Sequence, residues 1–279
     1  MSRDARLTPA RADIAAAHLK GTVDAARFVE GAPHQTIVPA AALRETQRDD
    51  ARLETQILFG ETFIVYDARD GWSWGQNAGD GYVGYVRSEA FATLAIAPTH
   101  RVNTLRTIAF AAPDVKAPPL FFLSLNAKVT PDEVSERFVR VARGGWMIGA
   151  HLDPIDAHED DFVAVAERFA GTPYLWGGKD SLGIDCSGLV QTSLERAGRQ
   201  SPRDSDMQEE ALGRAIPLDF SALQRGDLVF WDGHVGIMRD AARLLHANAH
   251  HMKVESEPLE QAMARIEPIA GPVRTIRRL

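Results

Sequence analysis

The stretch Gly183-Ile184-Asp185-Cys186-Ser187-Gly188-Leu189-Val190-Gln191 contains the single cysteine of the chain, and its reading decides the rest. Asp185 is a helix-capping residue type, and Cys186 to Ala197, closed by Gly198, predicts a helix that starts at the cysteine. The first-turn N–H groups and the positive end of the helix dipole then face the sulfur, an environment expected to favour the nucleophilic thiolate. The Cys186 amide is also placed to donate to an oxyanion. A lone cysteine without context is more often a small buried hydrophobe. Here a glycine-rich approach, Trp176-Gly177-Gly178 and Leu182-Gly183-Ile184, precedes it and is expected to bring backbone close to a substrate.

Downstream, a thiol nucleophile needs a base on a rigid element. Asp232-Gly233 is a turn signal, and His234 follows it directly at the head of Val235-Gly236-Ile237-Met238. His246 lies twelve residues on, within Leu244-Leu245-His246-Ala247-Asn248. If Asp227 to Trp231, His234 to Met238 and Arg243 to Asn248 are neighbouring antiparallel strands, His246 can bond the far nitrogen of His234 and fix its tautomer. Two ordinary strand histidines remain the plainer alternative. A short helix is expected from Ser205, with Gln208 at capping-box spacing. Upstream, Asp160 or Asp161 caps a helix whose apolar face is Phe162, Val163, Val165, Ala166 and Phe169, and Gly171 ends it. Helices followed by antiparallel strands indicate an α+β domain.

Further upstream the period changes. Gln56-Ile57-Leu58-Phe59, Thr62 to Tyr66, Gly71 to Trp74 and Gly81 to Val86 alternate, with Asp70-Gly71 and Asp80-Gly81 as turns, which predicts a small β barrel or sandwich. Residues 95–153 read as a weaker second copy, with Gly145 to Leu152 echoing Gly81 to Arg87. Residues 1–34 read as an N-terminal arm with a short helical period around Ala10 to Leu19.

Four ordered blocks then carry a resemblance: Pro173-Tyr174-Leu175-Trp176-Gly177-Gly178, Gly183 to Gln191, Gly226 to Trp231, and Gly233 to Ile237. Together they resemble the NlpC/p60 family of papain-like cell-wall cysteine peptidases over residues of about 157–279. The two β units resemble bacterial SH3-like modules, giving expected domains at 1–34 (arm), 35–94 and 95–156 (SH3-like barrels) and 157–279 (catalytic). The resemblance implies a Cys186, His234, His246 triad, with Tyr174 stabilising the oxyanion. It implies that Asp185, Ser187 and Ser205 hold the substrate peptide; taken alone, their spacing reads as a cap, a first-turn residue and a second cap.

The three-part arrangement further resembles γ-D-glutamyl-L-diamino acid endopeptidases that recycle wall peptides. It implies murein-derived L-Ala-γ-D-Glu-diamino acid substrates, a free amine read by the first module, with Glu54 and Tyr82 or Tyr85 as candidates, and no cofactor. The alternatives from other classes are a non-catalytic wall-binding protein and a thiol-dependent amidase or acyltransferase on another acyl donor.

Bulk properties agree with a folded enzyme. A hydrophobic content of 45% over 279 residues suffices for two or three cores. The net charge of -7 argues against nucleic-acid and anionic-membrane partners. The run Arg274 to Arg278 reads as a solvated end. One cysteine cannot form an internal disulfide, and the N-terminal residues lack the apolar stretch of an export signal, so the cytoplasm is the expected location. A metal site at His246, His250 and His251 would need a helix to put the first two on one face, and the strand-like neighbours argue against that; no metal is expected.

Overall fold

The computed structural model describes residues 4–279, so the first three residues of the expected arm lie outside the described residues. The chain divides into two compact units, one ending at Ile155 and the other beginning at Asp156. Among the described residues, no helix is long and apolar enough to cross a membrane.

In the first unit the alternating segments form β1 (Ala32–Thr36), β2 (Ala40–Arg44), β3 (Leu53–Leu58), β4 (Thr62–Arg69), β5 (Trp72–Asn77) and β6 (Val83–Arg87). With the short Phe91–Ala92 they make one antiparallel sheet in the order β3-β2-β6-β5-β4-β1 and then Phe91–Ala92. Alternation turns Leu43, Ile57, Phe63, Val65 and Val86 into a common core. Asp70 and Gly71 both take left-handed backbone (φ 52° and 76°), which is what a two-residue hairpin between Arg69 and Trp72 requires.

A second module is built round a core of Val102, Ala109, Leu123, Val129, Val141 and Met147, which Phe59 of the first module joins. Its strands β7 (Arg106–Phe110), β8 (Pro119–Ser124), β9 (Pro131–Ser135), β10 (Phe138–Val141) and β11 (Gly145–Ile148) pair in the order β8-β7-β11-β10-β9. The sequence echo has a structural counterpart, because β6 and β11 are each followed by a 3-10 turn and a short strand, Phe91–Ala92 and Leu152–Pro154 respectively.

The helical period expected around Ala10 to Leu19 does not become an α-helix. Ala15–Ala16 pair in parallel with Phe28–Val29, and only Ala17–Leu19 form a single 3-10 turn. Ile14, Ala15 and Ala16 are wholly buried, and Arg11 bonds Asp67 at 2.7 Å and the Tyr85 hydroxyl at 3.2 Å. Small alanines allow this close approach, and tertiary packing overrides a weak helical preference.

The second unit opens with α1 (Phe162–Glu167), whose N-cap Asp161 accepts from the Val163 and Ala164 amides. There follow α2 (Cys186–Arg196), α3 (Ser205–Ala211), β12 (Arg214–Ile216), β13 (Leu228–Trp231), β14 (His234–Met238), β15 (Arg243–Asn248), β16 (Lys253–Pro258), α4 (Leu259–Ala270) and β17 (Thr275–Arg278). The six strands form an antiparallel sheet in the order β12-β17-β13-β14-β15-β16. Leu259, Ala262 and Ile266 of α4 pack with Val229, Trp231, Met238, Leu244 and Ile276 of the sheet.

The C-terminal arginine run is not a solvated end. β17 is inserted between β12 and β13, with Ile276 fully buried, and Arg278 reaches back to the buried Asp227 carboxylate at 2.6 Å. Ile276 enters the core while Arg277 faces the other way, and Arg278, on the same face as Ile276, is neutralised by Asp227. Ile276→Ala is expected to lower stability by about 2–5 kcal/mol, as large-to-small changes in cores do, read from urea unfolding of the full chain. A loss under about 0.5 kcal/mol, the range of ordinary surface changes, would contradict this placement.

Candidate active site

The helix start is built on a buried carboxylate. Asp185 caps α2 by accepting from the Gly188 amide at 2.7 Å, and its other oxygen accepts from the Gly177 amide at 2.8 Å. Arg203, 1% exposed, grips both oxygens at 2.9 and 2.7 Å and also donates to Ser187 Oγ at 2.9 Å. A charge-assisted, two-pronged pair of this kind suits a buried carboxylate.

Asp185 and Ser187, which the sequence leads one to expect at the substrate, both have their side chains in this clamp beside Cys186. Ser205 is the first residue of α3, with Asp204 in the cap position, so it is not the expected cap. Gln208 is not half of a capping box either, because its amide donates to the carbonyls of Ser187 and Pro202, both at 2.9 Å.

The glycines also serve a different purpose from the one expected. A Cβ at Gly188 would lie 2.3 Å from the Gly178 carbonyl oxygen, and one at Gly178 would lie 2.4 Å from that of Gly183. They allow the loop to pack on the helix start and on itself rather than opening room for a ligand.

Cys186 opens α2, where its amide has no acceptor within the helix. The backbone N–H groups of Val235 and Ser187 face the sulfur closely enough to favour its charged form. Against the thiolate expected from the helix start, burial, with the nearby Asp185 charge, pushes the thiol up to about 12, and these N–H groups and Arg203 offset only part of that. Desolvation thus favours the neutral thiol over the thiolate.

Val235, whose N–H acts on the sulfur, is the residue after His234 at the head of β14. The β14–β15 ladder pairs only Ile237 with Leu245 and Met238 with Leu244. Beyond it, His234 Nε2 meets His246 Nδ1 at 2.8 Å, with the rings 5.1 Å apart and inclined at 58°. Continuing the register would set Gly236 opposite His246, so the two histidines meet on a diagonal. Burial and the neighbouring His246 hold His234 down to about 3, and burial also lowers His246, which has 0% exposure.

A buried cysteine at a helix start with paired imidazoles on the adjoining strands is the arrangement of a thiol peptidase. Residues 171–267 match the NlpC/P60 family, and residues 43–91 match the bacterial dipeptidyl-peptidase Sh3 domain.

The chain carries an NlpC/P60 domain.

It is accordingly a cysteine peptidase of the cell-wall type. A γ-D-glutamyl-L-lysine dipeptidyl-peptidase of Bacillus subtilis is 27% identical over 224 residues, covering 71% of this chain and 73% of the relative. Dipeptidyl-peptidase 6 of Lysinibacillus sphaericus is 33% identical over 139 residues, 49% of this chain and 51% of that protein. The solved structure of an NlpC/P60 family protein from Bacillus cereus shares the fold, with a TM-score of 0.73 and 22% identity over 88% of this chain and 99% of that one.

Within the NlpC/P60 domain, sequence reasoning missed two residues. Glu257 Oε1 lies 2.8 Å from His246 Nε2, and Arg265 of α4 pairs with the same carboxylate. The only sequence signal was the charge alternation of Lys253, Glu255 and Glu257, which reads as an exposed strand edge.

Tyr174 is half-buried, near enough to Cys186 and Asp185 that burial and their charges raise its phenol above the ordinary value. Its backbone is tied to the β15–β16 turn, the Tyr174 amide donating to the Met252 carbonyl at 3.0 Å. For a metal, donor atoms of His246, His251 and Glu257 lie within 4.8 Å of one another, but a cation there would have to displace Arg265 from Glu257. His250, the third member of the cluster weighed from sequence, sits in the turn after β15 and not on a helix face with His246.

In the first unit, Glu54 and Tyr82 do come together, the Tyr82 hydroxyl donating to Glu54 at 3.4 Å. Tyr82 is a core residue at 2% exposure, and Arg52 already holds Glu54 at 2.6 Å, so an ammonium would have to compete with an arginine. Tyr85 receives a hydrogen bond from Arg11.

Two measurements check this site. Arg203→Met leaves the buried Asp185 charge unpaired and is expected to cost about 3–5 kcal/mol in urea unfolding, whereas a surface pair would cost under about 1 kcal/mol. The second concerns pH. The folded-state values of His234 and His246 lie below the unfolded value of 6.5, so their contribution is full above 6.5 and is lost as pH falls toward about 3. The urea midpoint is expected to fall steadily from pH 6.5 to 4, with a shallower fall in His234→Gln; equal slopes would contradict the assigned environments.

Proposed function

We propose that Cys186 is the nucleophile, His234 its base, His246 the residue that orients the base, and Tyr174 with the Cys186 amide the oxyanion donors. The bond cut is the amide between γ-D-glutamate and a diamino acid in murein peptides with a free N-terminal L-Ala, a reaction of cell-wall peptide recycling. The supporting observation is the 2.8 Å imidazole pair, whose first ring belongs to the residue just before Val235, the N–H of which acts on the Cys186 thiol.

With the thiol neutral at rest, attack and proton transfer go together. Sγ bonds to the carbonyl carbon as its proton passes to His234 Nδ1, and the negative oxygen is taken by the Cys186 N–H and the Tyr174 hydroxyl. Collapse breaks the C–N bond, and His234 returns the proton to the departing amine. Water then attacks the thioester, giving its proton to His234; the second collapse frees the γ-carboxylate and reprotonates the sulfur.

The bond chosen is supported by the relatives named γ-D-glutamyl-L-lysine dipeptidyl-peptidase. The same name describes removal of two residues from a chain end, which fits a requirement for a free amine. The test is mass spectrometry of products from L-Ala-γ-D-Glu-diaminopimelate beside its N-acetylated form. Cleavage of the free peptide alone is expected, and none by Cys186→Ala; equal cleavage of both peptides removes the amine requirement. Turnover by Cys186→Ala, or loss of wild-type activity on dialysis against a chelator, removes the thiol mechanism. Because the resting thiol is neutral, alkylation by iodoacetamide is expected to be slow at pH 7 and to accelerate as pH rises.

A further inference from the structure

The arrangement of charge behind the histidines determines where their protons sit. Glu257 is opposite Leu244 across the β15–β16 ladder, hence diagonal to His246, as His246 is to His234. The donor–acceptor path runs His234 Nε2, His246 Nδ1, His246 Nε2, Glu257, with 2.8 Å at each step between residues. An ionised carboxylate can only accept, so His246 Nε2 must carry a hydrogen. A neutral His246 then offers Nδ1 only as an acceptor, which requires the hydrogen on His234 Nε2. His234 Nδ1 is thereby left bare.

We propose that Glu257, held by Arg265, is a positioning residue that sets the tautomers of both imidazoles and keeps His234 Nδ1 as the nitrogen available to the thiol. This rests on the assignment of His234 as the base. A carboxylate alone beside His246 would draw a proton onto the ring and spoil the relay. Arg265 counters that: it adds to the His246 hydrogen bond in keeping Glu257 ionised against burial, and its charge works against protonating either ring. The remaining charged neighbours do not replace this pair. Glu255, directly opposite His246, is paired with Lys253 at 2.7 Å, and His251 bonds Asn248. Glu257 and Arg265 thus form a locally neutral unit that presents an acceptor without adding net charge to a buried site, a requirement that burial makes strict.

The experiment uses the full chain labelled with 15N-histidine, with ring nitrogen shifts read by two-dimensional NMR at pH 7.5. Wild type is expected to show both His234 and His246 as Nε2–H tautomers. Glu257→Leu is expected to move at least one ring into the Nδ1–H form and to lower kcat by about 10²–10⁴-fold with little change in KM, on the scale seen when a triad base is held in the wrong tautomer. Glu257→Gln, whose amide oxygen still accepts, is expected to keep the Nε2–H forms and lose less. Arg265→Met is expected to keep the tautomers but raise the pH at which the rings become protonated.

A wild-type His246 in the Nδ1–H form overturns the proposal without any variant having to fold. So does a folded Glu257→Leu with unchanged tautomers and kcat. Because ring shifts are read without turnover, they are independent of the Cys186→Ala test, which alone decides whether the chemistry is thiol-based.

Discussion

A carboxylate taken out of water must be surrounded by donors, and Asp185 is the point at which this requirement organises the second unit. Its oxygens are met by Arg203 and by the amides of Gly177 and Gly188, so one charge fixes the start of α2, the glycine loop before it and the segment leading into α3. Cys186 follows directly and inherits its position from that clamp. Losing a partner would leave a buried charge uncompensated, so the strength of the arrangement is also its constraint.

The same burial sets the chemistry. A helix start alone favours a thiolate, but desolvation opposes any charge on the sulfur, and at Cys186 desolvation wins. The rings answer in the same sense, since burial depresses His234 and His246. On the proposed mechanism the thiol and the two hydrogen-bonded imidazoles are neutral at rest, and the charge created during reaction is met by fixed donors. That is the regime in which preorganised dipoles act most strongly, because little solvent is present to compete.

Much of the second unit was legible in the sequence because its signals are local. Asp185 before an apolar-periodic run marked the start of α2, and Asp232-Gly233 between two apolar runs marked the hairpin that places His234. What was not legible depends on partners distant in sequence. Arg203 stands eighteen residues from Asp185, and nothing near either residue announces that the carboxylate is consumed by it. Glu257 and Arg265 read as solvated charges because their role appears only once β16 is laid beside β15. The arginines of β17 misled for the same reason: a strand that is charged on average can still present one fully buried Ile276 to a core.

The position of β17 bears on how the enzyme is made. It follows every other strand of the sheet in sequence, yet it lies inside that sheet, bonded on one side to β12 and on the other to β13. Until residues 275–278 have cleared the ribosome, β13 keeps an open edge, and the sheet that positions the histidines is split into two parts. Pairings of such long sequence separation form late and slowly. The sheet that carries the histidines is therefore closed only by a strand that comes after all its other members in sequence.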